Sequence, residues 1–502
     1  MKPRSKVLAP PRRPGTGGGG SPYSSGMRDL SAEKIPSHAI ELAGRFAQAG
    51  YGLWLVGGWV RDTLLGREGD PPLEFERSAR TDLDFATDAR PDATLKILKR
   101  WGSSQPWTAG MEFGTVGVQK GSDRVEVTTF RREAYDPGSR NPRVEFGDDL
   151  LTDLSRRDFT VNTMAVALPD IELIDPFNGV NDLVARRLRT PLAPSFSFSD
   201  DPLRMLRAFR FASTLGFEVD DDVTAAVRQM HDRLAIVSRE RIRDEFSKLM
   251  LGSAVSRSLE MATDAGLAAE FLPELPGLKL SQDPIHRHKD VFHHTLAVLD
   301  NAISTETDDP DLVLRLGALL HDIGKPKTRE ITPKGVTFHH HEVVGAQMAE
   351  TRLKELRYPS KLIAEVKALV YLHLRFHTFR LGWTDRAIRR YVRDAGPLLD
   401  RLNRLVRSDC TTRNPAKARQ LAKRMDELEE RIADLASREE LARLRPALDG
   451  NEVMEHLGIR PGRPVGEALD YLMEVRLDEG EIPKDEAYRL LDAWYRGREK
   501  PE

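Results

Sequence analysis

The chain has 502 residues, with 76 Lys+Arg against 78 Asp+Glu, 40% hydrophobic residues and one cysteine. That length leaves room for several domains with their own cores, and the lone Cys410 excludes a disulfide scaffold or a cysteine-built zinc site. No apolar run approaches the ~18–20 residues of a membrane span, and residues 1–26 lack the apolar stretch of a secretory signal, so a soluble, cytoplasmic protein is expected.

Residues 1–27 are low in complexity and are expected to be disordered. From Ile40 to Ala49 the apolar spacing is helical, with Gly50 as its C-cap. Leu53–Val56 reads as a short buried strand ending in Gly57-Gly58. Asp82–Phe85, Thr115–Val118 and Arg124–Phe130 read as further strands. Residues 131–155 are rich in Pro, Gly, Asp and Arg and predict a mobile loop. From about Pro202 the pattern is helical, apart from a turn-rich patch near Thr332–Phe338. The order of elements predicts an α/β head of roughly 150 residues and a long helical body.

Four constellations carry chemistry. In Leu55-Val56-Gly57-Gly58-Trp59-Val60-Arg61-Asp62 a strand runs through two glycines into a helix. Such a turn lets a phosphate approach the backbone at a helix N-terminus, and Arg61 can add a charge-assisted clamp. In Asp82-Leu83-Asp84 the two carboxylates share one strand face. Like charges so placed repel unless a divalent cation lies between them, and Mg²⁺ accepts such carboxylates together with substrate phosphates. Glu126 alternates with Val125 and Val127 and is a candidate third carboxylate. The third constellation is Arg156-Arg157-Asp158-Phe159-Thr160. The fourth runs from Asp200-Asp201 through Arg204, Arg207 and Arg210, arginines on one side of a helix that call for an anion or for balancing acids.

In this order and spacing the motifs resemble the class II tRNA nucleotidyltransferases and their poly(A) polymerase relatives. Further family elements stand at Ile174-Asp175-Pro176-Phe177-Asn178-Gly179 to Asp182-Leu183 and at Glu240-Arg241-Ile242-Arg243-Asp244-Glu245. The resemblance implies an α+β fold: a polymerase-β-like nucleotidyltransferase head, then an all-α body. It implies that Asp82 and Asp84 are catalytic and hold Mg²⁺. Gly57, Gly58, Arg61, Asp62, Arg157 and Asp158 would bind the nucleotide. Asp201 and Arg204 would read the incoming base, with Arg207 and Arg210 nearby. A carboxylate accepts from the exocyclic amine of cytosine or adenine, and an arginine donates to the adjacent ring nitrogen. One such pair accepts C and A and rejects U and G. The family's usual Glu before the reading Asp is here Asp200. Arg131 to Asp149 has the length of the family's full flexible loop, which disfavours a CC-only enzyme and leaves CCA addition and A addition open.

Ten of the 13 histidines fall between His286 and His377, a density that suggests metal ligation. His294, the adjacent pair His321-Asp322, and Asp409 resemble the four ligands of the HD superfamily of metal-dependent phosphohydrolases. Mixed nitrogen and oxygen ligation suits Mg, Mn, Ni or Fe. His341 and His373 are expected to line this site, and His339 and His340 to lie on the surface. The expected domains are the tail (1–27), head (28–178), helical neck (179–272), HD domain (273–412) and helical C-terminal tail (413–502).

Charge is uneven. Residues 357–425 carry 17 Lys/Arg against 5 Asp/Glu, and residues 426–502 carry 12 against 21. Arg386, Arg389, Arg390, Arg393, Arg401 and Arg404 are therefore expected either to track an RNA backbone or to form a solvated helical face. The expected function is CCA addition to tRNA from CTP and ATP. The alternatives are a poly(A) or A-only polymerase, an HD phosphohydrolase with the head as a binding module, and a protein-modifying nucleotidyltransferase.

Overall fold

The computed structural model describes residues 34–67, 82–134, 143–147, 149–280, 290–333, 335–378, 384–411, 414–439 and 444–498. The N-terminal tail, residues 135–142 and 148 of the expected loop, and His286 and His288 lie outside the described residues. Two compact units divide the described chain, the first running through Arg187 and the second beginning at Leu188.

The first unit is built on a six-stranded sheet ordered β3-β4-β2-β1-β7-β8. Its strands are β1 (Leu53–Val56), β2 (Asp82–Thr87), β3 (Thr115–Lys120), β4 (Asp123–Thr129), β7 (Ala165–Leu168) and β8 (Glu172–Ile174), with a separate hairpin of β5 (Arg131–Ala134) and β6 (Arg143–Phe146). Only the β2–β4 pair is parallel; its register sets Asp82 against Arg124 and Asp84 against Glu126. The period of two sorts the side chains: Leu83, Phe85, Val125 and Val127 are buried, while Asp82 and Asp84 turn to the opposite face. The helices α1 (Ser37–Gln48), α2 (Gly58–Leu65), α3 (Pro91–Trp101), α4 (Leu150–Ser155) and α5 (Gly179–Ala185) complete the unit.

The segment expected to be a loop is corrected in its described parts. Residues 131–134 and 143–146 pair as antiparallel strands. Asp149 caps α4 by accepting from the backbone N–H groups of Leu151 and Thr152 at 3.2 and 3.0 Å.

The second unit is helical. Its first helices are α6 (Pro194–Asp200), α7 (Leu203–Leu215), α8 (Asp221–Met230), α9 (Arg239–Met250), α10 (Val255–Asp264) and α11 (Glu274–Gly277). The histidine-bearing region follows as α12 (Val291–Ser304), α13 (Leu312–Leu320), α14 (Lys325–Thr328), α15 (His341–Glu355), α16 (Ser360–Leu372), α17 (Arg375–Thr378), α18 (Asp385–Ala395) and α19 (Leu399–Ser408). Every residue of α13 is buried, so it is the central helix of this region. The turn-rich patch is a hairpin of Arg329–Thr332 with Gly335–Phe338. After α20 (Pro415–Arg438) come α21 (Gly450–Leu457), α22 (Arg463–Glu479) and α23 (Lys484–Arg498), which share a small core of Leu448, Val453, Val465, Ala468, Leu472, Ala487 and Leu491.

The basic segment does not present a row of free arginines. Arg386 meets Asp478 at 2.7 Å, Arg389 meets Glu439 at 2.8 Å, Arg390 pairs with Glu474, and Arg393 meets Asp394 at 3.0 Å. Arg401 reaches Asp311 at 2.7 Å, and Arg404 donates to Thr305 at 3.1 Å. Arg389 is only 5% exposed. The positive segment and the acidic tail fold onto each other, and the tail supplies many of the counter-ions. Of these six, Arg389 is buried and so does not offer its guanidinium to a phosphate, while Arg386 stays exposed beside its acidic partner.

Candidate active site and metal centre

Three of the four sequence constellations meet in the first unit. Gly57 has φ +76°, and a Cβ built there would lie 3.4 Å from Arg157 Nη1 and 3.6 Å from Asp84 Oδ2. Glycine is required by the backbone conformation, and the two charged groups lie at contact distance from it. The turn after β1, the carboxylate face of β2 and the arginine after α4 therefore share one small region.

Protein packed around Asp84, the neighbouring Glu126 carboxylate and Asp82 together push the Asp84 carboxyl up to about 6, against the pull of Arg157 and Arg124. Arg124 donates to Glu126 at 2.5 Å. Three carboxylates thus crowd one face of the sheet, the arrangement that a divalent cation relieves. The Glu126 position comes from the parallel register, so the sequence alternation pointed to the correct face.

A buried polar network lies beside the Gly57-Gly58 turn. Arg61 is 3% exposed and donates to both oxygens of Asp62, at 2.8 and 2.7 Å, and to Asn162 Oδ1 at 2.9 Å. Asn162 Nδ2 donates to Asp158 Oδ1 at 2.9 Å, and Asp158 also accepts from the Phe159 N–H at 2.8 Å. Arg61, expected as a phosphate clamp, lies in this network, with its Nη2 3.6 Å from where a Cβ on Gly58 would stand. Asp153, which sequence reasoning passed over, is buried and receives Arg156 at 2.8 Å and Arg157 at 3.3 Å. Burial opposes its ionisation, but the two guanidiniums hold its carboxyl below the usual range. The Asp175 motif is structural: its carboxylate accepts from Gly179 and Val180 N–H at 2.7 and 2.9 Å, and Asp182 accepts from Thr160 at 2.6 Å.

In the second unit, Asp201 precedes α7, and Arg204, Arg207 and Arg210 follow along it. Arg207 and Arg210 converge on the two oxygens of Glu245, at 2.9 and 3.0 Å. The balancing acid for this arginine face is therefore intramolecular and comes from α9. Asp201 pairs with Arg241, and Arg204 with Ser197.

The histidine region gathers the residues expected there. His294 Nε2 lies 3.0 Å from Asp409 and 3.4 Å from Asp322. His321 Nε2 and His341 Nε2 lie 3.1 and 3.3 Å from Asp322. His294, His321 and Asp322 form one potential metal-holding group, and Asp322, His341 and His373 form a second. Gly324 makes room for this: a Cβ there would stand 2.2 Å from the His341 carbonyl oxygen. His339 and His340 are exposed, as expected.

The tautomers follow from the hydrogen bonds. Nδ1 of His321, His341 and His373 faces the carbonyls of Ala318, Phe338 and Val370 at 2.8, 2.7 and 2.6 Å. Each Nδ1 must donate, so each Nε2 carries a lone pair, and all three Nε2 atoms are buried without a hydrogen-bond partner. Lone pairs turned toward carboxylate oxygens repel unless a cation lies between them. Burial pushes His373 down to about 3, so it stays neutral. The donor set fits a divalent cation.

Fold and site together define a nucleotidyltransferase head joined to a helical body with an HD domain. The chain matches the poly A polymerase head domain over residues 53–189, the probable RNA and SrmB-binding site of polymerase A over 216–278, and the HD domain over 291–441. It is 36% identical over 355 residues to the A-adding tRNA nucleotidyltransferase of Deinococcus radiodurans, covering 69% of this chain and 80% of that one. It is 31% identical over 453 residues to the CC-adding tRNA nucleotidyltransferase of Thermus thermophilus, covering 88% and 94%. The Bacillus stearothermophilus CCA-adding enzyme in complex with CTP superimposes with a TM-score of 0.64 at 27% identity, covering 92% of this chain and 98% of that one. The chain belongs to the tRNA nucleotidyltransferase family. No helix among the described residues is long and apolar enough to cross a membrane.

Proposed function

We propose that this enzyme adds the 3′-terminal CCA to tRNA from CTP and ATP without a nucleic-acid template. The observation that carries the reading is the convergence of Gly57, Asp84 and Arg157, with Asp82 and Glu126 on the same sheet face. Asp82 and Asp84 would hold Mg²⁺, which when bound neutralises charge on the triphosphate and on the attacking oxygen. The Gly57-Gly58 turn and Arg157 would receive the phosphates. The RNA 3′-oxygen bonds to the α-phosphorus, the bond to the bridging oxygen breaks, and pyrophosphate leaves. Asp201 and Arg204 would select C and A, Arg207 and Arg210 would keep α7 in place through Glu245, and the buried Arg61-Asp62-Asn162-Asp158 network would keep the turn rigid.

A-only addition is the second reading, favoured by the identity to the A-adding relative. For the HD domain we propose a divalent ion (Mg, Mn, Ni or Fe) held by His294, His321, Asp322 and Asp409, with His341 and His373 beside them. Its chemistry would be phosphoester hydrolysis at RNA ends.

The test is labelled-CTP incorporation into a tRNA that ends before CCA. Wild-type protein is expected to incorporate label in a Mg²⁺-dependent manner and Asp82→Ala to incorporate none. No incorporation from CTP by wild type would instead support A-only addition.

A further inference from the structure

Asp201 is held by an arginine that base recognition does not use. Its Oδ1 accepts from the Leu203 N–H at 3.1 Å, which fixes one oxygen to the first turn of α7. Its Oδ2 accepts from Arg241 Nη2 at 2.8 Å, across 40 residues of sequence, from α9. On the other side, Arg204 Nη1 donates to Ser197 Oγ at 3.0 Å. Both members of the pair are therefore tethered from neighbouring helices.

A carboxylate that discriminates bases needs its acceptor oxygens fixed in direction, because a free carboxylate rotates to accept from whatever donor arrives. One oxygen tied to the backbone leaves rotation about that contact. A charge-assisted bond to the other oxygen removes it. The Arg241 side chain is 54% exposed and makes no other hydrogen bond or ion pair among the described residues. An exposed pair of this kind adds at most about 1 kcal/mol to stability, so maintenance of the fold does not account for it. Glu245, four residues on, does hold the fold, and the two positions on α9 divide the work.

We propose that Arg241 is a positioning residue for nucleotide selection: it orients the Asp201 carboxylate toward the exocyclic amine of C or A. This rests on the reading that Asp201 and Arg204 recognise the base.

The test measures kcat and KM for CTP, ATP, UTP and GTP on a tRNA lacking CCA, using the full chain as wild type, Arg241→Gln, Arg241→Lys and Asp201→Ala. Arg241→Gln is expected to raise KM for CTP and ATP roughly two- to fivefold, the range an exposed ion pair supports. It should lower the preference for C and A over U and G while leaving kcat and the melting temperature unchanged, and Arg241→Lys should restore part of the preference. If Asp201→Ala loses the preference while Arg241→Gln keeps wild-type KM and preference, the positioning role is overturned and the base-reading assignment stands. If Asp201→Ala keeps the preference, the base-reading assignment fails and the proposal falls with it.

Discussion

Asp84 stands directly opposite Glu126 across the parallel pair β2–β4, and the Glu126 carboxylate adds to the cost of ionising Asp84. Asp84→Asn removes a group that touches the proposed cation. It is expected to lower kcat by about 10³-fold or more, the scale of several kcal/mol of metal-borne charge stabilisation. Glu126→Gln removes a neighbour and is expected to cost roughly 10- to 100-fold. Single-turnover nucleotide addition checks both, and equal effects would contradict the ranking.

His321→Ala leaves the HD centre without one of its buried lone pairs. Divalent metal retained after gel filtration, measured by mass spectrometry, is expected to fall sharply. Nucleotide addition should stay within about twofold of wild type, because independent sites contribute separately. Retained metal in both His321→Ala and His373→Ala would contradict the assignment.

Glu245 gives a pH prediction. Burial opposes its charge, but Arg207 and Arg210 hold its carboxyl below the ordinary 4.5. A folded-state value below the unfolded one contributes stability that is complete above about pH 4.5 and is lost as pH falls through the folded value. Glu245→Gln is expected to be about 3 kcal/mol less stable at pH 7, since it leaves two guanidiniums without their carboxylate. Its stability should also change less between pH 5 and pH 3. Urea titrations across that range check the slope.

Arg389 and Arg393 lie four residues apart on α18 and predict opposite outcomes. Arg389 is buried against Glu439 and also donates to the Leu477 carbonyl at 3.1 Å. Arg393 pairs at the surface with Asp394 and Glu474. Arg389→Ala is expected to cost about 3 kcal/mol and Arg393→Ala less than about 1 kcal/mol. Thermal unfolding of the two variants separates them.

Much of the site was legible because its logic is local. The alternation in Asp82-Leu83-Asp84 places both carboxylates on one face whatever the rest of the chain does, and β1 falls on Leu53–Val56 as its apolar run predicts. The clustering of His294, His321, Asp322 and Asp409 was legible by pattern, and the carbonyls at Nδ1 of His321, His341 and His373 supply the orientation that pattern cannot give. The partners of the arginines were not legible. Glu245 lies 35 residues beyond Arg210, and Glu439 lies 50 beyond Arg389. Such pairings depend on which helices pack together, and nothing in local spacing specifies that. Net charge by window located the basic segment, while its acidic partners Glu439, Glu474 and Asp478 lie further along the chain and were not legible in it. Arg61 reads as a clamp from its place after two glycines, while its bond to Asn162, 101 residues away, is not legible in local spacing.

Product length on a tRNA ending before CCA tests the central claim most directly, with 3′-end sequencing after incubation with CTP, with ATP, and with both. CCA addition by the head predicts two added C residues with CTP alone and the complete CCA with both nucleotides, each abolished in Asp84→Asn and retained in His321→Ala. Extension by A alone, or arrest after two C residues when both nucleotides are present, would contradict it.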